Sequence, residues 1–229
     1  MQQSVERRSG HNWQEPEHVQ AYVERVDRGD RRAEGLDLLV RLVQPSSEKP
    51  LRILDVGTGQ GLLAARLLDA FPSATAIGLD MSEPMRAVAA DRMASYGERF
   101  QFVLGDFVEG DLPPAVSGPF DVVVSSRAIH HIPSRGKQLL YASIHKALAP
   151  GGAVFNLDGA RPVEDELREI YRAAGGRPPR SRPDEERAQQ SGHYFETLDE
   201  HLGFLRAAGF RNVDCFWKCL DLVLIGGYV

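Results

Sequence analysis

The residue types that could do chemistry in this chain gather around a glycine-rich turn. Gly57, Gly59 and Gly61 directly follow the apolar run at residues 51–56 and precede a helix-like stretch. Glycine permits positive φ angles and lets a ligand approach the backbone without meeting a Cβ atom. The turn therefore predicts a surface across which a flat or extended ligand lies.

Three carboxylates stand at the ends of apolar runs close to this turn. Asp55 lies just before the turn, Asp80 ends the run at residues 74–79, and Asp106 follows the run at 100–104. The Asp55 carboxylate disfavours a pyrophosphate and suits an ammonium or sulfonium group. Asp80 offers the two acceptor oxygens that a pair of ribose hydroxyls needs, and Asp106 can accept from an adenine amino group. The acids predict a cationic ligand that contains a nucleoside.

The residues beside these acids admit alternative roles. Met81 and Phe107 can enclose the adenine ring, and plain core packing is the alternative for both. Asp80 could instead cap the following helix, but Ser82 can fill that position itself. A dinucleotide fingerprint would need glycine at position 62, where this chain has Leu62. That difference disfavours a nicotinamide-dependent oxidoreductase.

A regular alternation of strand-like and helix-like segments explains how the acids come together. Strand-like runs are found at residues 51–56, 74–79, 100–104, 120–125 and 153–157, with helix-like stretches at 61–71, 83–96 and 135–148. This alternation predicts a doubly wound α/β sheet, in which ligands bind at the carboxyl ends of the strands. Two further β-like runs, at 211–217 and 220–225, are close enough to pair as a hairpin.

The segments outside the alternation predict two additions to this sheet. Residues 1–50 form an N-terminal helical arm, in which apolar residues recur at helical spacing. Residues 51–229 form the ligand-binding domain, with an inserted lid at about 161–196 where proline and glycine interrupt the helical pattern. The lid carries a basic cluster beside acidic residues: Arg177, Arg180, Arg182 and Arg187. Such a mixed run is typical of a solvated loop, and the alternative is a site for an acidic substrate group or an RNA phosphate.

Composition limits the partners of the chain. Its 229 residues carry a formal net charge of -5, which provides no overall field to attract nucleic acid or an anionic membrane. No apolar run approaches the roughly 20 residues that a spanning helix needs, and the first residues lack the apolar core of a signal peptide. We therefore expect a cytoplasmic protein, and the sequence leaves homo-oligomerisation open. Cys215 and Cys219 are predicted to be buried free thiols.

Residues from about 50 to 158 resemble the class I S-adenosylmethionine-dependent methyltransferases. The first motif of that family is matched by Asp55, Gly57, Thr58, Gly59 and Gly61, its ribose-binding acid by Asp80, and its adenine motif by Gly105, Asp106 and Phe107. The resemblance implies a Rossmann-like, mostly parallel seven-stranded sheet with a terminal β-hairpin. It also implies S-adenosylmethionine as cofactor and S-adenosylhomocysteine as product.

Residues 120–132 resemble the fourth motif of the same family, in its small-molecule branch. The resemblance implies that Ser126 meets the methionine part of the cofactor and that His131 packs near it. Methyl transfer is an in-line displacement, in which a hydroxyl or amine acceptor must also lose a proton. His130 and His131 are therefore candidate bases, although such a pair can also merely shape the cofactor pocket.

Aromatic and histidine side chains of the arm and the lid are candidates for contact with the acceptor. Trp13, Tyr22, His193 and Tyr194 could fold over the site and exclude water, and their alternative is a place on the solvated surface. No metal is predicted, because Asp158 alone is too few carboxylates for a magnesium site.

The sequence as a whole predicts an enzyme that transfers a methyl group to a small organic acceptor at oxygen, nitrogen or activated carbon. Two alternatives stay open: a transfer RNA-modifying methyltransferase, and a non-catalytic protein that binds S-adenosylmethionine. The former is disfavoured by the net negative charge.

Overall fold

The strands form one mixed sheet. The computed structural model describes residues 13–27, 32–44, 49–176 and 192–229. Within them the strands are β1 (Arg52–Val56), β2 (Thr75–Asp80), β3 (Phe100–Leu104), β4 (Phe120–Ser126), β5 (Leu148–Gly159), β6 (Arg211–Cys219) and β7 (Leu222–Tyr228). Their order in the 7-stranded sheet is β3-β2-β1-β4-β5-β7-β6. Strands β1 to β5 are parallel, and β7 is antiparallel to both β5 and β6. The predicted doubly wound sheet with a terminal hairpin is confirmed.

The direction of winding reverses at β1, which lies between β2 and β4. In open α/β sheets the crevice at such a point, outside the carboxyl ends of the strands, is where ligands bind. The glycine-rich turn leaves β1 at this edge, and the ends of β2 and β4 lie on either side of it. The topology therefore brings the turn together with the residues that end β2 and β4.

Alternate residues of β1 supply the cores on the two faces of the sheet. Ile53 packs in one apolar cluster with Leu36 and Leu67, while Leu54 packs in another with Leu140 and Ile144. All six of these side chains are buried. Burial on both faces explains why the central strands read as continuous apolar runs in the sequence.

The helices are α1 (Pro16–Asp27), α2 (Ala33–Leu42), α3 (Leu62–Ala70), α4 (Glu83–Met93), α5 (Ser134–Ala147), α6 (Asp165–Ala174) and α7 (Leu198–Ala207). The three predicted crossover helices are confirmed as α3, α4 and α5. Helix α4 ends at Met93 instead of continuing to residue 96, because the chain tightens into a 3-10 turn over Ala94–Arg99. Gly97 in that turn has φ 55, which an α-helix cannot accommodate.

Two sequence predictions about the hairpin are wrong. Leu220 was expected in its second strand but lies in the connecting turn with φ 55, and β7 begins at Leu222. Cys215 and Cys219 were expected to be buried, yet Cys215 is partly exposed and Cys219 is exposed. Both belong to β6, which is an edge strand with β7 as its one neighbour in the sheet.

The predicted arm and lid are described in part. Helix α1 packs Val19 and Val23 against Met85 of α4, and α2 packs on the sheet. Of the predicted lid, residues 161–176 and 192–196 are described, whereas residues 177–191, with the basic cluster Arg177, Arg180, Arg182 and Arg187, lie outside the described residues. Among the helices of the described ranges, none is long and apolar enough to cross a membrane.

Candidate cofactor-binding site

The glycine-rich turn is bound to the end of the neighbouring strand. The backbone N–H groups of Gly57 and Thr58 donate to the Leu79 carbonyl at 2.8 and 3.0 Å. Gly57 has φ 70, and a Cβ atom on it would lie 2.1 Å from the Cβ atom of Ala128. Both the backbone conformation and the available space therefore require glycine at this position.

Asp80 presents its carboxylate at the end of β2. One oxygen accepts from the Gly59 N–H at 2.8 Å and the other from the Ser82 N–H at 2.9 Å. Each carboxylate oxygen has a second acceptor site, so the pair can still accept from two hydroxyls. Burial raises the pKa of Asp80, while these backbone donors oppose the rise. Ser82 caps α4 by accepting from the Met85 N–H at 3.1 Å, so the capping role does not fall to Asp80.

Asp55 is a buried carboxylate beside the turn. It accepts a hydrogen bond from the Thr58 hydroxyl at 2.8 Å. Burial raises the pKa of Asp55 to about 7, although the Thr58 hydrogen bond opposes the rise. A cation near this carboxylate would favour its ionised form.

These residues line a cavity of about 880 Å³ that opens to solvent. Because the cavity is open, this volume includes solvent space at its mouth. The sequence-predicted residues that line it are Trp13, Tyr22, Asp55, Gly57, Thr58, Gly59, Asp80, Met81, Phe107, Ser126 and His131. The structure therefore brings most of the predicted site residues to one cavity.

The remaining predicted residues lie outside the lining of this cavity: Gly61, Asp106, His130, His193 and Tyr194. A Cβ atom on Gly61 would meet the Met93 sulfur at 2.7 Å, so close packing of α3 against α4 accounts for that glycine. Asp106 is exposed and accepts from the Val108 N–H at 2.8 Å. The backbone N–H of Tyr194 donates to the His130 carbonyl at 2.7 Å.

The two neighbouring histidines differ in environment. His130 is buried, with its Nδ1 atom 2.7 Å from one oxygen of Asp158, and its backbone N–H donates to the other oxygen at 3.0 Å. Burial alone would raise the pKa of Asp158, but the charge and hydrogen bond of His130 hold it well below its usual value. His131 lines the cavity, where the Trp13 ring meets it edge-on at 5.4 Å between centroids. Burial, together with His130 and His193, holds the pKa of His131 well below its usual value.

Sequence reasoning missed Arg32. This residue is buried, lines the cavity and donates from Nη1 to the Ser126 hydroxyl at 3.0 Å. A guanidinium at this position suits a carboxylate ligand, because its planar donors match two carboxylate oxygens. Arg32 follows Arg31 just before α2, and nothing in their spacing distinguishes one from the other in the sequence.

A buried ion pair was also missed. Lys137 on α5 is fully buried and donates to Glu196 and to the Tyr194 carbonyl, while the Ser134 hydroxyl donates to Glu196 at 2.6 Å. Burial lowers the pKa of Lys137, and Glu196 opposes the change. These contacts join residues 194–196 to α5, beside His193.

Comparison with known proteins now identifies the class. Residues 53–152 match the family described as Methyltransferase domain. A ubiquinone/menaquinone biosynthesis C-methyltransferase of Methylobacterium nodulans is 30% identical over 186 residues, which cover 76% of this chain and 71% of that protein. The chain belongs to the class I S-adenosylmethionine-dependent methyltransferases, as the sequence motifs predicted.

The chain is also similar to two further proteins. It is similar to a malonyl-[acyl-carrier protein] O-methyltransferase of Geobacter sulfurreducens, with 33% identity over 182 residues that cover 79% of this chain and 63% of the relative. The solved structure described as PigF with SAH shares the fold, with a TM-score of 0.69 and 22% identity over 98% of this chain and 63% of that chain. The chain therefore spans less than two thirds of the length of either protein.

Proposed function

We propose that this chain binds S-adenosylmethionine in the cavity at the end of β1 and transfers its methyl group to a small organic acceptor, leaving S-adenosylhomocysteine. The observation that carries the proposal is the placement of Asp80. Its two oxygens are oriented by Gly59 and Ser82 at the mouth of a glycine-rich turn, and both can still accept hydrogen bonds from hydroxyls.

The lining of the cavity supports one orientation of the cofactor. Asp80 accepts from the ribose hydroxyls, and Met81 and Phe107, which also line the cavity, enclose the adenine. Asp55 faces the positive charges of the methionine part, and Arg32 binds its carboxylate. Each charged group of the methionine part is then paired with a side chain of opposite charge.

The acceptor lies on the side of the cavity formed by Trp13, Tyr22 and His131. Their aromatic rings suit a small organic molecule, and we propose that residues 1–50 and 161–196 act as the arm and lid that enclose it. The transfer forms a bond from the acceptor atom to the methyl carbon and breaks the bond from that carbon to sulfur. Of the two candidate bases, His131 is the one that lines the cavity. The name of the similar ubiquinone/menaquinone biosynthesis C-methyltransferase agrees with this class of acceptor, whereas the similar O-methyltransferase is named for a malonyl group on an acyl-carrier protein.

The test combines binding with turnover. Calorimetric titration with S-adenosylmethionine, S-adenosylhomocysteine and NAD should give binding of the first two and none of the third. Methyl-labelled S-adenosylmethionine is then incubated with phenols, carboxylic acids, amines and activated-carbon acceptors, and labelled product is expected from at least one class. Binding of NAD in place of S-adenosylmethionine would overturn the proposal, and binding without any product would remove its catalytic part.

A further inference from the structure

Three histidines from two parts of the chain converge beside the cavity. The ring centroids of His130 and His131 are 4.1 Å apart, and that of His193 lies 5.0 Å from the first and 4.8 Å from the second. Each residue offers one ring nitrogen, and these nitrogens all lie within 4.8 Å of one another. Imidazole nitrogens are preferred ligands of zinc and of other borderline divalent metals.

We propose that His130, His131 and His193 bind one divalent transition-metal ion of the zinc class. Three histidines leave a fourth tetrahedral position open, as in metal sites that bind a water or a substrate. His131 also lines the cavity, so the metal lies at its edge. The cofactor contacts proposed above do not require this site, so the inference goes beyond the proposed function. A metal ion would occupy the ring nitrogen with which His131 could act as a base, so metal binding and that role of His131 exclude each other.

A buried carboxylate stands behind one of the proposed ligands. Asp158 contacts His130 Nδ1 at 2.7 Å, which leaves Nε2 as the coordinating nitrogen of that ring. Asp158 is itself fixed by the backbone N–H groups of His130 at 3.0 Å and Gly159 at 2.8 Å. Metal-binding histidines commonly donate their second ring nitrogen to a carboxylate in this way, which orients the ring. His131 resembles this pattern, with Nδ1 3.4 Å from the Gly192 carbonyl.

The third ligand is held in place by its neighbours. The Tyr194 N–H donates to the His130 carbonyl at 2.7 Å, and Lys137 donates to the Tyr194 carbonyl. Lys137 is in turn paired with Glu196, which also lies within the same segment. These contacts tie the backbone next to His193 directly to the backbone of His130, so the site is largely preorganised.

The required adjustment is small. Two nitrogen ligands of a tetrahedral zinc ion lie about 3.4 Å apart, given zinc–nitrogen bonds of about 2.0–2.1 Å. One ring nitrogen of each histidine lies within 4.8 Å of the others, so bringing one nitrogen of each ring to this spacing calls for side-chain shifts of the order of an ångström. The sequence prediction of no metal considered carboxylates for magnesium, and it did not anticipate that His193 would meet the histidine pair.

The test is a metal titration of the full chain after treatment with a chelator. Cys219 is exposed and Cys215 is partly exposed, so both thiols are changed to serine in the background protein. Co²⁺ is followed by its ligand-field absorption, and Zn²⁺ by competition with a chromophoric chelator. We expect one equivalent of either ion to bind, with an absorption spectrum typical of tetrahedral nitrogen and oxygen ligands.

Matched variants decide the location of the site. His193→Ala should weaken metal binding at least tenfold, and Asp158→Asn by about 10-fold to 100-fold. His145→Ala is the control, because this histidine packs on Phe210 outside the cluster. His193→Gln keeps most of the side-chain volume and serves if the alanine variant unfolds. Absence of metal binding, or equal metal affinity in the His193 and His145 variants, would overturn the proposal. The proposed function is tested separately by the S-adenosylmethionine titration, so its failure would be distinguishable from this result.

Discussion

Removal of the Asp80 carboxylate is the sharpest test of the proposed cofactor site. Asp80→Ala deletes both oxygens that face the cavity and also removes the acceptors of the Gly59 and Ser82 N–H groups. Hydrogen bonds to a charged group contribute about 1.5–3 kcal/mol each, so two ribose hydroxyls account for at least about 3 kcal/mol. Water that enters the space recovers part of this. We therefore expect a loss of at least about 1.4 kcal/mol, which is a tenfold weaker affinity.

Calorimetric titration of the native and variant proteins measures this loss. S-adenosylmethionine and S-adenosylhomocysteine share the ribose, so both affinities should fall by the same factor. Asp91→Ala, at an exposed acid of α4, makes the same change in net charge and should leave both affinities unaltered.

Thermal unfolding first establishes that the Asp80 variant is folded, and Asp80→Asn keeps one acceptor oxygen if it is not. Unchanged affinity in a folded Asp80→Ala protein would refute the assignment of the ribose to this carboxylate. A loss of affinity for S-adenosylmethionine alone would mean that Asp80 interacts with the sulfonium charge instead of the ribose.

Three further predictions concern the turn and the buried charges. The pKa of Asp55 is about 7 in the unliganded protein, so below pH 7 the carboxyl group is mostly protonated. Binding of a cationic ligand must then displace the proton of Asp55. Affinity for S-adenosylmethionine should thus rise about fivefold from pH 6 to pH 7, and calorimetry of Asp55→Asn should show no such rise. Gly57 and Gly151 both have positive φ, but only Gly57 lacks space for a Cβ atom. In denaturant unfolding, Gly57→Ala should therefore lower the free energy of unfolding by about 1–3 kcal/mol more than Gly151→Ala does. Lys137→Met leaves the Glu196 carboxylate buried without the Lys137 ammonium and should lower the free energy of unfolding by about 3–5 kcal/mol in the same assay. Lys146→Met, on an exposed part of the same helix, should change it little. The double variant Lys137→Met with Glu196→Leu should recover part of the lost stability.

The sheet was predictable because its signals are local. The central parallel strands are buried on both faces and read as short apolar runs. The edge strand β3 is partly exposed but is still mostly apolar in sequence. Leu220 was misplaced for the same reason, since a β-propensity pattern does not reveal a left-handed turn residue between two apolar runs. The exposure of Cys219 depends on strand order, which no local pattern encodes.

The candidate site was predictable where one motif supplies several residues. Gly57, Gly59 and Asp80 belong to strand ends that the fold class brings to one edge. Arg32 carries no local signal, because its role depends on the packing of α2 over the cavity. The different surroundings of His130 and His131 were also hidden, because no periodic pattern distinguishes adjacent residues in a single 3-10 turn.

The position of Trp13 gives the protein a built-in optical reporter. The chain has two tryptophans, and Trp13 lines the cavity while Trp217 lies on the edge strand β6. In a Trp217→Phe protein all indole fluorescence would come from the cavity wall. Ligand arrival could then be timed by stopped-flow mixing, without any label on the protein or on the small molecule.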